Sequence, residues 1–159
     1  MHRHRRNWTT VIVVLVLVTA GSIGFATMPP EHFVSVGGQD IASDKQLNIV
    51  AREKDGVVTG NLTDRFSADN GGGGMKARLD CLFVNGNDAW VSGQISNGNQ
   101  GDVDLTGLYV VVRVRDNGIS ANDPPDQISF VFILNSPFDC STAPNVALFD
   151  QPTGQVTVR

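Results

Sequence analysis

Histidine is scarce in this chain of 159 residues, which contains only His2, His4 and His32. The first two lie in an arginine-rich N-terminal stretch, and the third follows a Met-Pro-Pro sequence in a predicted linker. A Ser-His-Asp triad needs a histidine as its base, and catalytic zinc sites commonly use two or three histidines. The sequence therefore excludes the commonest hydrolases and multi-histidine zinc enzymes.

A phosphate-binding glycine motif and a basic cluster are also lacking. The glycine run at 71–74 enters a predicted strand and lacks the lysine and hydroxyl residue that end a P-loop. All 16 acidic residues but only nine lysines and arginines follow Ala26, which gives this part a formal charge of −7. Since nucleic-acid binding requires a basic surface that replaces counterions around phosphates, no nucleic-acid partner is expected.

Helical periodicity is missing after Ala26, and short alternating runs separated by turn residues take its place. Asp55-Gly56 and Asn85-Gly86 each separate two such runs, as the turns of β-hairpins do. We expect an all-β fold, an antiparallel β-sandwich or small barrel of about eight or nine strands. At this length one domain with one core is sufficient.

Alternation also predicts which side chains face the core. The predicted inward residues are Leu47, Ile49, Ala51, Leu79, Cys81, Phe83, Ala89, Val91, Ile95, Leu108, Val110, Val112, Val114, Ile128, Phe130, Phe132 and Leu134. Tyr109, Arg113 and Arg115 are predicted to point outward. Trp90 falls opposite Ala89 and Val91, where it either covers the second side of a sheet or is exposed.

The first 26 residues have the order of an export signal. Arg3, Arg5 and Arg6 precede an apolar run over 11–26, and Gly24 and Ala26 suit cleavage before Thr27. The alternative is a retained membrane anchor, since 8–26 is nearly long enough to span a bilayer. We therefore expect a leader or anchor at 1–26, an extension with a possible first strand at 27–44, an all-β domain at 45–159, and a location outside the cytoplasm.

Two cysteines, Cys81 and Cys140, remain to be placed. In an exported chain two cysteines have one intramolecular pairing, and an oxidising compartment favours it. We predict a Cys81–Cys140 disulfide that ties a proline-bounded loop to a core strand. A pair of free buried thiols, a reactive thiol and a soft metal site are the alternatives.

Two loops gather oxygen donors that would suit calcium outside the cell. The candidate ligands in the first are Asp116, Asn117, Asp123 and Asp126, and in the second Asn97, Asn99, Asp102 and Asp104. Neither loop has EF-hand spacing, and Asp and Asn are also ordinary turn residues. Calcium is the only cofactor that the sequence suggests.

Evidence for catalysis is limited to carboxylates. Asp80, Asp88, Asp102 and Asp104 are candidates for an acid and base pair, but a glycosidase also needs a cleft and usually a larger scaffold. We therefore expect a protein that is not an enzyme. A contact through Trp90 and Tyr109 on a solvent-facing surface would instead favour recognition of a carbohydrate or peptide.

Four segments, LDCLFVNGNDAWVSGQI, YVVVRVRDNG, DQISFVF and LFDQPTGQVTV, carry a resemblance. They resemble a recurrent family of exported bacterial all-β domains, which pair a C-L-x-V-x-G-N-x-A hairpin with a later V-x-D-N-G turn and a second cysteine. The resemblance covers most of 47–158 and implies a secreted or envelope-attached module without known catalytic residues. Here Arg113 and Arg115 alternate through the strand before the Asp-Asn-Gly turn, which departs from the family pattern.

The sequence thus predicts an exported, non-catalytic β-domain of the cell envelope or extracellular space, a binding or adhesive module for an envelope, glycan or protein ligand. Long polar loops on a rigid scaffold favour contact through those loops. The alternatives are a structural or accessory domain without its own ligand and a carboxylate-dependent hydrolase.

Overall fold

The computed structural model describes residues 31–120 and 122–159, and these form an all-β domain without an α-helix. The strands are β1 (His32–Gln39), β2 (Gln46–Lys54), β3 (Val57–Arg65), β4 (Gly73–Asn85), β5 (Asp88–Gln100), β6 (Val103–Asp104), β7 (Tyr109–Arg115), β8 (Gln127–Ile128), β9 (Phe132–Leu134), β10 (Phe149–Asp150) and β11 (Gly154–Val158). The predicted leader at 1–26 lies outside the described residues. Within the described ranges, no helix is long and apolar enough to cross a membrane.

All eleven strands belong to one antiparallel sheet that curls into a half-barrel. The main order is β10-β8-β7-β5-β4-β3-β2-β1-β11, with β6 added to β5 and β9 added to β7. The antiparallel all-β prediction is confirmed. The count exceeds eight or nine because three strands have only two residues and β9 has three.

Two-residue turns join the central hairpins, at the predicted Asp55-Gly56 pair in one and shifted by one residue from the predicted Asn85-Gly86 pair in the other. Asp55 and Gly56, between β2 and β3, both have positive φ, of 53° and 76°. Between β4 and β5 the turn residues are Gly86 and Asn87, and only Gly86 has a positive φ, of 63°. A two-residue turn with glycine in its first position matches the twist of the strands it joins. The cluster at 85–88 is therefore a hairpin turn.

The core lies on the inner face of the curled sheet, where alternate side chains of neighbouring strands meet. Its fully buried members are Val34, Leu47, Ile49, Ala51, Leu62, Ala89, Val91, Val110, Val112, Val114, Ile128 and Val156. The predicted inward positions in β2, β5 and β7 are thus confirmed, and β1 is the predicted possible first strand.

The predicted inward direction of Cys81 and Phe83 is wrong. The pairing of β4 with β5 shifts between Leu79 and Cys81, where Asp80 is an extra residue. A β-bulge of this kind reverses which residues face the core. Leu82 consequently joins the core, and Cys81 and Phe83 lie on the outer face.

The predicted inward direction of Phe130 and Phe132 is also wrong. The strand expected here is split into β8 and β9, and the Ser129 hydroxyl accepts a hydrogen bond from the Arg113 amide at 2.9 Å. The interruption adds a residue relative to β7, so Val131 and Ile133 pack against the core instead. Phe130 and Phe132 are 38% and 37% exposed.

Two carboxylates connect the ends of the curled sheet. Asp126 Oδ2 accepts the Val156 amide hydrogen at 2.6 Å, and Asp116 Oδ2 accepts that of Val158 at 3.0 Å. Both donors belong to β11, an edge strand, while the acceptors lie in the loop that follows β7. These side chains occupy the edge where another strand would otherwise pair.

Replacing Asp126 with alanine should destabilise the fold by about 2 kcal/mol, because the amides of Asn117 and Val156 both lose their acceptor. Asp102→Ala, which removes an exposed carboxylate from a turn, is the matched control and should change stability little. Urea unfolding measures both. Equal midpoints for the two variants would contradict a closing role for Asp126.

Candidate functional site

The loop at 135–148, between β9 and β10, covers part of the outer face and is held there by the disulfide. Cys81 of β4 is bonded to Cys140, and the Cα atoms are 6.0 Å apart. The Ser92 hydroxyl donates to the Phe138 carbonyl at 2.7 Å, and the Trp90 indole donates to the Pro144 carbonyl at 3.0 Å. The predicted disulfide is confirmed, and it indicates an oxidising environment outside the cytoplasm.

Trp90 lies beneath this loop and is only 4% exposed. Its ring contacts Phe83, with centroids 5.8 Å apart, and the Arg113 guanidinium carbon lies 5.0 Å from its centroid. Tyr109 is half-buried, and its hydroxyl is 3.4 Å from the Gln94 amide nitrogen. The suggested solvent-facing contact through Trp90 and Tyr109 is therefore wrong, because the loop covers Trp90.

Asp88 joins the two outward arginines of β7. Arg115 donates to it at 2.9 and 3.1 Å, and Arg113 approaches at 3.3 Å while also donating to the Val146 carbonyl. Burial would raise the pKa of Asp88, but the hydrogen bonds and charges of both arginines outweigh burial and hold that pKa below its ordinary value. An ionised, paired carboxylate is poorly suited to accept a proton, and this argues against Asp88 as a catalytic base.

The first candidate calcium loop uses its acids within the fold. Asp116 accepts the amides of Gly118 and Val158, Asp126 accepts those of Asn117 and Val156, and Asp123 accepts that of Ser120. These contacts account for the acids as turn-forming residues. Calcium at this loop stays a prediction.

The second candidate loop spans β5, a turn and β6. Asn99 donates to the Gly101 carbonyl, and Asp104 accepts the Thr106 amide at 2.9 Å, a bond that lowers the pKa of this carboxylate. Asn97 and Asp102 are exposed. Across the described ranges, no three His, Cys, Asp or Glu side chains gather as a metal site would require.

A different pair of acids lies at one end of the half-barrel. Asp64 of β3 is 2% exposed and Asp40, just after β1, is 3% exposed. Both line a cavity of about 220 Å³, here called the Asp64 cavity. Its polar wall also includes Ser43, Asn70 and Gln100.

The opposite side of the Asp64 cavity is apolar. Phe66, Phe130, Val131 and Ile133 form it, and Ala42 lies at an exposed position on its margin. Exposure of Phe130 and Gln100 shows where the cavity reaches solvent. A small cavity with one polar and one apolar wall has the layout of a ligand site.

Local hydrogen bonds hold the polar wall in place. Asp40 Oδ2 accepts the Ala42 amide at 3.0 Å, and the Ser43 hydroxyl donates to the Arg65 carbonyl at 2.9 Å. Asn70 donates to the Ala42 carbonyl, and Gln100 donates to the Asn70 carbonyl. Asp64 Oδ1, in contrast, is buried without a hydrogen-bond partner.

This environment changes the acidity of Asp64. Burial, and then the charge of Asp40, raises its pKa to about 7, while the Arg65 backbone amide opposes the shift. Asp64 also borders a second cavity of about 280 Å³, where Arg65 and Lys76 are the charged neighbours. At neutral pH Asp64 is therefore close to half-protonated, and it can take up or release a proton or pair with a cation.

Sequence reasoning missed both acids, although one signal was present. In β3 the alternation that places Leu62 in the core also places Asp64 there, so a charged residue occupies a core position. Asp40 has no such signal, because a turn after β1 causes its burial. The earlier carboxylate candidates Asp80, Asp102 and Asp104 do not line the Asp64 cavity.

Comparison with known proteins gives no match: no family model, curated protein or solved structure aligns with this chain.

Replacing both Cys81 and Cys140 with serine should lower the free energy of unfolding by roughly 4 kcal/mol, since the bond closes a separation of 59 residues in the unfolded chain. Denaturant unfolding with and without reductant measures the loss. Reductant should destabilise the native protein similarly and leave the double variant unchanged. Equal stability of native and variant proteins without reductant would contradict this role.

Replacing Asp64 with asparagine should remove a pH-dependent loss of stability. Because the folded-state pKa is raised from 3.8 to about 7, the contribution of Asp64 to native stability is fully present below pH 3.8 and is lost as pH rises through 7. Above that pH, Asp64→Asn should be more stable than the native protein by on the order of a few kcal/mol.

Asp69→Asn, at an exposed acid of the same region, is the control for the lost charge. Thermal or urea unfolding from about pH 4 to pH 8 gives the difference between the variants. Native, Asp64→Asn and Asp69→Asn curves that run parallel would show that Asp64 does not carry this pH dependence.

Proposed function

We propose that this chain is an exported, non-catalytic β-domain of the cell envelope or extracellular space, which binds a small ligand or ligand end group in the Asp64 cavity. The observation that carries the proposal is Asp64 Oδ1, a buried acceptor without a partner on a residue that lines a cavity reaching solvent. Buried polar groups are normally satisfied, so an unsatisfied oxygen on a residue that lines a cavity favours a ligand that supplies the missing donor.

The disulfide supports the location outside the cytoplasm. Secretion after leader cleavage, or attachment through an uncleaved segment at 1–26, accounts for the basic and apolar N-terminal sequence. The resemblance to exported bacterial all-β domains supports the same location, and the acidic composition makes a nucleic-acid partner unfavourable.

A carboxylate-dependent hydrolase is the second candidate, favoured by the same pair of acids. A proton-holding Asp64 beside Asp40 resembles the two environments that general acid and base groups need. Ser43 is the one hydroxyl residue that lines the cavity, and it donates to the Arg65 carbonyl rather than to a base, so binding is the better-supported function. An accessory domain without a ligand would leave Asp64 Oδ1 without a hydrogen-bond partner.

A ligand screen with a cavity-filling variant tests the proposal. Protein exported from cells that express the full chain is screened by thermal shift against small sugars, short peptides, amines and carboxylates. Ala42→Trp should fill the Asp64 cavity from its margin, and Ala68→Trp is the control at an exposed position outside it.

At least one compound class should raise the melting temperature of the native protein and of Ala68→Trp. The same compounds should bind Ala42→Trp about tenfold more weakly or worse, since the added ring occupies their space. Absence of any ligand, or equal binding to both tryptophan variants, would contradict the proposed function.

A further inference from the structure

The charges around the Asp64 cavity point to one class of ligand. Asp40 and Asp64 are the only charged residues among those lining it, and both are acidic. The charge of Asp40 opposes ionisation of Asp64 across a lining that holds no compensating cation, and burial makes Asp64 costly to ionise. A positive group entering the cavity would relieve both effects.

The unsatisfied oxygen of Asp64 adds a geometric requirement. Asp64 is only 2% exposed, and no donor in the protein makes a hydrogen bond to its Oδ1 atom. Asp40 already accepts the Ala42 amide through Oδ2. The missing partner is therefore a hydrogen-bond donor, and a charged donor makes the stronger bond to a carboxylate.

The opposite wall limits what else the ligand contains. Phe130, Val131 and Ile133 offer apolar surface, and Phe66 adds a second aromatic ring. Such a wall suits hydrocarbon next to the charged group, and aromatic faces also attract cations. The volume of about 220 Å³ admits a short alkyl chain rather than a large ligand.

A metal ion fits these walls less well. Calcium takes six to eight oxygen ligands and magnesium needs octahedral geometry, whereas this cavity offers two carboxylates and half of its lining is apolar. The described residues also contain no group of three His, Cys, Asp or Glu that would hold a metal. An organic cation uses both walls.

We infer that the Asp64 cavity binds an alkylammonium group, which donates to Asp64 and pairs with Asp40 while its carbon chain contacts the apolar wall. The inference rests on the proposed function and specifies its ligand. A free amine and the side chain of a lysine present the same chemistry, and the experiment separates these sources.

Binding is measured by calorimetry and by amide chemical shifts on protein exported from cells that express the full chain, at about pH 8, above the Asp64 pKa of about 7. The probes are n-butylammonium and Nα-acetyl-lysine amide. 1-Butanol and butyrate are the neutral and anionic counterparts, and calcium chloride tests a metal. Asp64→Asn and Asp40→Asn remove each charge, and Asp69→Asn is the control.

The inference predicts that at least one ammonium probe binds the native protein and Asp69→Asn, and that Asp64→Asn weakens binding about tenfold or more. Asp40→Asn should weaken it as well, which keeps the test decisive if one variant folds poorly. Binding of both probes identifies the ammonium group alone as sufficient. Binding of the lysine amide alone assigns the site to a lysine side chain, and binding of butylammonium alone assigns it to free amines.

Four results would overturn the inference. Ammonium binding that Asp64→Asn and Asp40→Asn both retain would locate the ammonium site elsewhere. Calcium binding that is tighter than ammonium binding and changes the amide chemical shift of Asp64 would assign a metal site. If butanol or butyrate bound as tightly as butylammonium, and Ala42→Trp lost this binding, the charge argument would be rejected and the proposed function would stand. No binding by any probe or by the wider screen would overturn both.

Discussion

A single sheet without helices to cover it must bury its apolar face against itself, and the architecture of the described residues follows from that constraint. Here the inner side chains of β1 to β5, β7 and β11 meet across the half-barrel. Curling brings β11 near the loop after β7, where Asp116 and Asp126 take up the β11 amides. The edge is thus closed by side chains, so no further strand is needed to satisfy those two donors.

Irregular points in the strands determine what lies on the outer face. Asp80 adds one residue to β4, which turns Cys81 outward and keeps Leu82 in the core. Because Cys81 points outward, it can form the disulfide to Cys140, and the loop that this disulfide holds covers Trp90. One extra residue therefore produces an outer layer that an uninterrupted strand would not have.

The hairpins and most core positions could be predicted from alternation and turn residues, because these signals are local. Cys81, Phe83, Phe130 and Phe132 were assigned to the wrong face because a bulge depends on pairing between strands, which no single run of residues reveals. The disulfide needed only the count of cysteines and the expected compartment. The Asp64 cavity was missed because acids were judged as turn residues, although the alternation in β3 marks Asp64 as inward.

Asp64 is the position at which local rules and the fold disagree. An apolar residue between Leu47 and Met75, its neighbours across the sheet, would extend the core and avoid the cost of a buried acid. The buried acid that carries this energetic cost lies at the end of the half-barrel, where the cavity reaches solvent and Phe130 is partly exposed. Natural proteins break such rules most often where a function benefits, and an unsatisfied carboxyl oxygen on a residue that lines a cavity is an acceptor that a packed apolar core would not contain. In the proposed site the destabilising position and the binding position are the same residue, so a cation bound there would recover energy that the fold loses at Asp64.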